Sequence, residues 1–289
     1  MKKFTPRIGI MQGRLTKMSD NKIQSFPHKI WQNEFEEMQN SGFQVLEWIF
    51  DDLKNPLFNK KDCKKICLLA KKFNIEINSV CADYFMKEKL FNVTSLELKK
   101  NLDVLKKLIV QCAKNNIKII EIPLVDSSSL KSKKNMLEFF NNILTVLPLA
   151  KKNKILIALE TDLSPKILLA FLKKFNHPNI VSNYDLGNST SLGYNLEEEI
   201  DAYGDFIANI HLKDRKYLNG TVPLGLGDAN FDLFFKLISQ KKYRGDFIIQ
   251  GAREFVNNTE TPKQTCVKYK NFVNSYVNKY YNGIDISQV

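Results

Sequence analysis

The chain has 289 residues, of which 44% are hydrophobic, and it carries a formal net charge of +12. This length suits one large α/β barrel or two smaller domains, and the composition excludes a fibrous or disordered protein. No run approaches the roughly 18 apolar residues that a membrane helix needs, and the apolar run near the first residue is too short for a signal peptide. We therefore expect a cytoplasmic protein with no membrane partner.

The positive charge does not predict a nucleic-acid partner. Lysines are spread through segments such as KKDCKKICLLAKKF, where they alternate with apolar positions. That pattern is typical of a solvated helix face. The five cysteines form no CxxC pair and have no histidines at metal spacing, which fits reduced thiols in a cytoplasm.

Short β-rich apolar runs alternate along the chain with segments of helical period. In chain order the runs are RIGIMQ, QVLEWIF, IEINSVCADY, KIIEIPL, KILIALE, IVSNYD, FIANIHL and DFIIQGA. Eight such units at roughly 25 to 40 residue spacing predict a (β/α)8 TIM barrel, as a single domain over residues 1–289. A doubly wound open sheet is the alternative, but the regular repeats and the lack of an early glycine-rich turn disfavour it.

Every predicted strand ends in one polar residue. Because a parallel barrel builds its active site at the C-terminal ends of the strands, we expect these residues to gather at one face. An acid that ends an apolar strand has to be solvated, paired or bound to a cation. The eight residues are Gln12, Glu47, Asp83, Glu121, Glu160, Asp185, His211 and Gln250.

Three of these residues predict a metal site. Glu160 in ALETD, Asp185 in NYDLGN and His211 in NIHLKDR offer two carboxylates and one imidazole on successive strands. With a fourth oxygen, such a set suits one divalent ion, Mn²⁺, Mg²⁺ or Zn²⁺, with a position left open for substrate. A lone histidine at a barrel mouth is more often satisfied by backbone groups, but two neighbouring acids favour metal ligation.

The sequence resembles the xylose-isomerase-like sugar phosphate isomerases and epimerases, and in pattern the ketose 3-epimerases and hexulose phosphate isomerases. The resemblance runs from GIMQGRL through CADYFM, YDLGN and HLKDR to PLGLGD. It implies a metal held by Glu, Asp, His and Glu after the last four strands, which correspond here to Glu160, Asp185, His211 and Gln250. Gln250 departs from the pattern, because its amide oxygen can bind a metal but cannot act as a base.

The resemblance also implies a reaction. A base removes the proton next to a carbonyl, and the metal stabilises the resulting ene-diolate. Family members that epimerise use two carboxylates on opposite faces of the substrate. If Glu160 is the only base here, aldose–ketose isomerisation is expected. Otherwise another group serves the second face, and the candidates are Asp83, Glu121, Cys81 and Glu254.

Further residues are predicted to bind the sugar or sugar phosphate. Cationic side chains can hold a phosphate or carboxylate, or can pair with the acids of the site; they are Arg14, Lys213, Arg215 and Arg253. Lys213 is favoured as substrate-facing, because it follows His211 by two residues on the same side of a strand. The other predicted substrate contacts are Gln12, Glu47, Asp83 and Glu121. For Glu47 and Glu121, ion pairing inside the barrel mouth is an equal alternative.

Three other functions use this fold or a related one. A sugar-binding or regulatory protein descended from such enzymes would explain Gln250, although a decayed site is expected to lose more than one ligand. A dehydratase of a cyclic polyol ketone begins with the same proton abstraction. A DNA-repair endonuclease of the related barrel type is disfavoured, because the chain has only three histidines. The expected partner is a small molecule, and a homo-oligomer is possible.

Overall fold

The computed structural model describes residues 5–16, 24–252 and 260–281, and its centre is a closed barrel of eight parallel strands. Neighbouring strands follow chain order from the first to the seventh, and the eighth pairs with both the seventh and the first. The predicted (β/α)8 TIM barrel is confirmed. The barrel strands are β1 (Ile8–Met11), β2 (Val45–Ile49), β3 (Glu76–Cys81), β4 (Ile119–Leu124), β5 (Leu156–Thr161), β6 (Ile180–Asp185), β7 (Ile207–Leu212) and, after a short hairpin, β10 (Phe247–Ile249).

Helices fill the connections between the barrel strands. A two-stranded antiparallel hairpin, β8 (Asp214–Arg215) with β9 (Thr221–Val222), stands between β7 and the next helix. None of the helices in the described residues is long and apolar enough to span a membrane. The helices are α1 (Asn33–Asn40), α2 (Lys60–Phe73), α3 (Tyr84–Lys87), α4 (Ser95–Lys114), α5 (Lys133–Leu144), α6 (Leu147–Lys152), α7 (Pro165–Phe175), α8 (Leu186–Leu192), α9 (Leu196–Tyr203), α10 (Phe231–Gln240) and α11 (Pro262–Tyr281).

The apolar runs become barrel strands because both of their faces are covered. All residues of β2 and of β10 are buried, since one face of each strand points into the barrel and the other packs under helices. Helix α2 shows the complementary pattern. Its lysines are exposed and Ile66 is buried, so the lysine-rich segment is a solvated helix face, as its periodicity predicts.

The helix boundaries agree with the sequence signals except at one start. The pattern predicts a helix from Ile30, but residues 28–32 form turns that follow Pro27, and α1 begins at Asn33. Gly42 ends this segment with a φ of 69°, a conformation that glycine adopts easily. Thr261 followed by Pro262 is a helix-start signal in the sequence, and the side chain of Thr261 accepts a hydrogen bond from the backbone N–H of Gln264 at 3.3 Å at the start of α11.

Two of the predicted strand-end residues do not lie at strand ends. Glu47 is the third residue of the five in β2, and Glu121 is the third of the six in β4. Apolar residues flank each glutamate on both sides, so the sequence alone does not show where the strand stops. Both carboxylates therefore lie deeper in the barrel than predicted.

The loop after β9 is organised by one buried carboxylate. Asp214 accepts hydrogen bonds from the backbone N–H groups of Gly225 (2.8 Å), Gly227 (2.9 Å) and Ala229 (3.2 Å). Gly227 packs directly against that carboxylate, and a Cβ there would overlap it and lie 2.8 Å from the carbonyl oxygen of Arg215. The two glycines of PLGLGD thus serve the close approach of backbone to Asp214.

Substituting Gly227→Ala should lower the free energy of unfolding by about 1 to 3 kcal/mol, the usual cost of forcing extra volume into a packed site. Gly220→Ala is the matched control, because a Cβ at Gly220 meets nothing within 4 Å. Urea denaturation followed by circular dichroism measures both variants. Equal stability of the two would show that the loop yields freely around Asp214.

Candidate active site

The three predicted metal ligands lie together at the C-terminal end of the barrel. Glu160 is the last residue but one of β5, Asp185 ends β6, and His211 is the last residue but one of β7. Each offers a ligand atom, and these atoms all lie within 4.8 Å of one another. All three residues are buried. Because β5, β6 and β7 are neighbours in the barrel, strand order alone brings the three side chains to one place.

His211 bridges two carboxylates. Its Nε2 lies 2.6 Å from Oε2 of Glu47, and its Nδ1 lies 3.1 Å from Oε2 of Glu160. Burial would lower the pKa of His211, but the two carboxylates outweigh burial and hold that pKa well above its ordinary value. Glu47 is the reciprocal case. Burial would raise its pKa, and His211 lowers it instead.

Asparagine amides orient the carboxylate of Glu160. Asn183 donates to Oε2 at 2.7 Å, and Asn188 donates to Oε1 at 2.8 Å. Asn188 is held in turn by Nη1 of Arg215 at 3.0 Å. Asn209 completes the set by donating to Glu47 and to Asn183, both at 2.8 Å. Every polar atom of the Glu160 head is therefore fixed in orientation.

The sequence analysis did not single out any of these asparagines, although a signal existed for Asn183 and Asn209. Asn183 precedes Asp185 by two residues, and Asn209 precedes His211 by two. Side chains two apart on a strand face the same side, so each asparagine lies one layer beneath a predicted ligand.

Asp185 is engaged through both oxygens. Oδ1 accepts the backbone N–H of Asn188 at 2.8 Å and caps the start of α8, and Oδ2 lies 2.7 Å from Nζ of Lys213. Lys213 thus points toward the site, as its spacing from His211 predicts. It pairs there with an acid, which is the alternative that the sequence left open for the cationic residues.

Gln250 directly follows β10 and lies across the mouth from β5. Its Nε2 donates to Oε1 of Gln24 at 3.2 Å and contacts Sδ of Met11 at 3.4 Å. Its own Oε1 is buried and has no hydrogen-bond donor among the residues that the structure describes. A buried amide oxygen of this kind is suited to a cation or to a ligand hydroxyl.

The remaining predicted residues fall into two layers. Gln12 and Glu121 are fully buried, and Gln12 accepts the N–H of Ile49 at 3.1 Å. Arg14 and Asp83 lie nearer the opening, where both contact Gln24, at 2.9 Å and 2.7 Å. Glu47 pairs inside the barrel with His211, whereas both carboxylate oxygens of Glu121 are buried without a hydrogen-bond partner among the residues that the structure describes. Arg253 and Glu254 lie outside the described residues, and the substrate-binding roles stay predictions.

The donor set fits a divalent ion. Two carboxylates and one imidazole converge here, with the ring of His211 beside Glu160 and the ammonium of Lys213 beside Asp185. A divalent cation can supply the positive charge that these carboxylates need. The contact between Nε2 of His211 and Glu47 is also the carboxylate–histidine arrangement that orients metal ligands. It leaves Nδ1 facing Glu160.

A comparison of the sequence with protein-family models agrees with the fold. The family model of the xylose isomerase-like TIM barrel matches residues 35–264. The chain belongs to this family. This xylose isomerase-like barrel is 25% identical over 237 residues to a putative L-ribulose-5-phosphate 3-epimerase, SgbU, of Haemophilus influenzae. That match covers 76% of the chain and 83% of the relative.

Solved structures share the same barrel. The IOLI protein with a zinc atom matches with a TM-score of 0.77 and 13% identity, over 95% of this chain and 99% of that one. D-psicose 3-epimerase with D-tagatose, from Clostridium cellulolyticum H10, matches with a TM-score of 0.76 and 13% identity, over 94% and 99%. The family and the activities named for these relatives are those of an isomerase-type enzyme, as the sequence predicted.

The donor set makes a prediction about metal content. Purified protein supplied with Mn²⁺ should retain about one ion per chain, and His211→Ala should lose it, because an imidazole ligand is removed. His177→Ala is the control, since His177 lies at the opposite end of β6, where it contacts the N–H of Asn179. Elemental mass spectrometry measures all three proteins. Equal metal in the two variants would mean that the ion lies elsewhere.

The contact between Glu47 and His211 leads to a second prediction. Glu47→Gln should weaken Mn²⁺ binding by about 10- to 100-fold, the usual cost of losing a carboxylate that orients a ligand histidine. Glu121→Gln is the matched control. Burial, followed by the charge of Glu160, raises the pKa of Glu121 well above its ordinary value, and Glu121 is as fully buried as Glu47. Titration calorimetry compares the affinities, and an equal loss in both variants would contradict the support role.

Proposed function

We propose that this chain is a single-domain, divalent-metal-dependent isomerase or epimerase of a sugar or sugar phosphate. The observation that carries the proposal is the Glu160 carboxylate, held by two amides at the edge of a metal-ligand cluster. A carboxylate in this position can take a proton from a carbon next to a carbonyl. The proposal places the protein among cytoplasmic enzymes of small molecules.

The relatives indicate the class of substrate. L-ribulose 5-phosphate and D-psicose, named for two of them, are both ketoses. Epimerisation at carbon 3 of a ketose requires removal of a proton next to the carbonyl. Glu160 is our candidate for that base, and a phosphate on the sugar would explain why cationic side chains line the opening.

Each residue of the site has a task in this reaction. Glu160, Asp185 and His211 would hold the ion, with the amide oxygen of Gln250 as a fourth ligand. Zinc in the IOLI structure makes Zn²⁺ a candidate beside Mn²⁺ and Mg²⁺. When bound, the ion stabilises the negative charge of an ene-diolate. Asn183 and Asn188 keep the Glu160 oxygens oriented, so that the carboxylate can accept the substrate proton.

Cationic side chains would hold the anionic end of the substrate. Arg14 is buried, donates to Gln24 and to the carbonyl oxygen of Gly251 (3.2 Å), and has one terminal nitrogen, Nη1, without an acceptor in the described part of the chain. Lys213 and Arg215, which follow β7, are the other candidates. A guanidinium with a free N–H suits a phosphate oxygen.

Gln250 supports a second candidate function. A sugar-binding protein that has lost turnover would keep the fold and the ligand cluster and would lack a carboxylate at this position. The two functions differ in one observable, because only the enzyme labels its ligand with solvent deuterium.

The test is deuterium exchange in heavy water, followed by proton NMR, with Mn²⁺-loaded protein and with L-ribulose 5-phosphate or D-psicose. Wild type should exchange the proton next to the carbonyl, and Glu160→Gln should slow that exchange at least about 100-fold, the typical contribution of a general base. Glu197→Gln, on the exposed side of α9, should exchange like wild type.

Unchanged exchange in Glu160→Gln would remove this residue as the base. Thermal stabilisation of wild type by either sugar, with no exchange at all, would support the binding protein.

A further inference from the structure

An epimerase needs a second proton-transfer group, and the end of β10 offers an amide. This inference rests on the proposed function. The question is which described side chain can hold and release a proton at the mouth, on the side of Gln250. Glu47 is committed to His211, and Glu121 is fully buried beneath the site.

Asp83 lies at the mouth two residues after β3, and its carboxylate faces the Gln250 side. Its Oδ2 accepts a hydrogen bond from Nε2 of Gln24 at 2.7 Å. The other end of the same amide, Oε1 of Gln24, accepts from Nε2 of Gln250 at 3.2 Å and from Nη2 of Arg14 at 2.9 Å. One amide group therefore separates Asp83 from the position where relatives are expected to carry a carboxylate.

The orientation of Asp83 is not explained by helix capping. Asp83 occupies the N-cap position of α3, where an aspartate usually accepts a backbone N–H of the first turn. Its side chain makes no such bond with α3. Both of its oxygens are used elsewhere, Oδ2 by Gln24 and Oδ1 by the Cys81 thiol at 3.3 Å. The side chain of Asp83 therefore points to the mouth of the barrel and does not cap α3.

The chemistry of Asp83 suits proton transfer near neutral pH. Burial raises the pKa of Asp83 to about 6, although the hydrogen bonds from Gln24 and Cys81 act in the opposite direction. The residue as a whole is half-buried, and both of its carboxyl oxygens are hydrogen-bonded within the mouth. Cys81 is the weaker candidate, because burial, followed by the charge of Asp83, raises the pKa of its thiol well above the ordinary value.

We propose that Asp83 is the second acid–base residue of the site and that Gln24 positions it. Glu160 takes the proton from the carbon next to the carbonyl, and the C–H electron pair enters the ene-diolate. The carboxylic acid of Asp83 then gives its proton to the opposite face of the same carbon. Glu160 ends protonated and Asp83 ends ionised, and exchange of both with water restores the starting state without any co-reactant.

The test separates proton removal from inversion. In heavy water, with Mn²⁺-loaded protein and L-ribulose 5-phosphate or D-psicose, wild type should form an epimer that carries deuterium at the inverted carbon. In Asp83→Asn, the rate of inversion should fall at least about 100-fold. The rate of deuterium exchange into unconverted substrate should stay within about threefold of the wild-type rate, because Glu160 still removes the proton and returns deuterium to the same face. Asp52→Asn, which alters a partly exposed acid that pairs with His28, is the matched control.

Two further variants keep the test decisive. Adding Gln250→Glu to Asp83→Asn returns a carboxylate to the mouth and should restore inversion. Gln24→Met leaves Asp83 in place and should lower the ratio of inversion to exchange, which is measurable even if Asp83→Asn does not fold. Mn²⁺ affinity by calorimetry should be the same in wild type and Asp83→Asn, because Asp83 is not a metal ligand.

The outcomes are distinct. Inversion at the wild-type rate in Asp83→Asn, or an unchanged ratio in Gln24→Met, overturns the inference and leaves the proposed function standing. Loss of exchange together with inversion in Asp83→Asn also overturns it, since a second base is not needed for proton removal. Exchange without inversion in wild type means a one-base isomerase, and no exchange in wild type ends both proposals.

Discussion

The buried contact between His211 and Glu47 is the interaction on which the candidate site depends. Both groups are fully buried, and a charge in that position is tolerated only if it is paired and hydrogen-bonded. The pairing fixes which nitrogen of His211 faces Glu47 and which faces Glu160. Asn209 and Asn183 then tie the two carboxylates to one another through amides. The orientation of the proposed base is thus set by a group on β2, on the far side of the barrel axis.

The sequence predicted the barrel because its signal is repeated. Each apolar run is followed by a helical segment, and closure of β1 on β10 requires nothing beyond that repetition and the rules of parallel sheets. Glu160, Asp185 and His211 could be found because each stands at the end of an apolar strand. The family resemblance then suggested what they hold. Asn183 and Asn209 were within reach of the same period-two argument.

Other parts of the site could not be read from the chain. Gln24 lies in a segment without periodicity, and its contacts with Asp83 and Gln250 join residues 59 and 226 positions apart. Glu47 was placed too high because apolar residues flank it on both sides, which hides the strand end. The amide oxygen of Gln250 has no hydrogen-bond donor in the described residues because of the way the side chains at the barrel mouth pack together. The sequence shows only that a glutamine stands where a glutamate is expected.

The position of the three proposed ligands also bears on how the chain reaches its folded state. They lie on β5, β6 and β7, whose strands are consecutive both in the chain and in the barrel. The seam between β1 and β10, in contrast, joins Ile8 to Phe247 and closes almost the entire polypeptide into one loop, which is entropically the slowest contact to form. The ligand cluster needs only the pairing of neighbouring strands, whereas the contact of His211 with Glu47 that orients it crosses the barrel from β7 to β2. A divalent ion would then favour a partly folded intermediate as well as the finished barrel, and refolding in the presence of metal would follow a different order of events from refolding in a chelator.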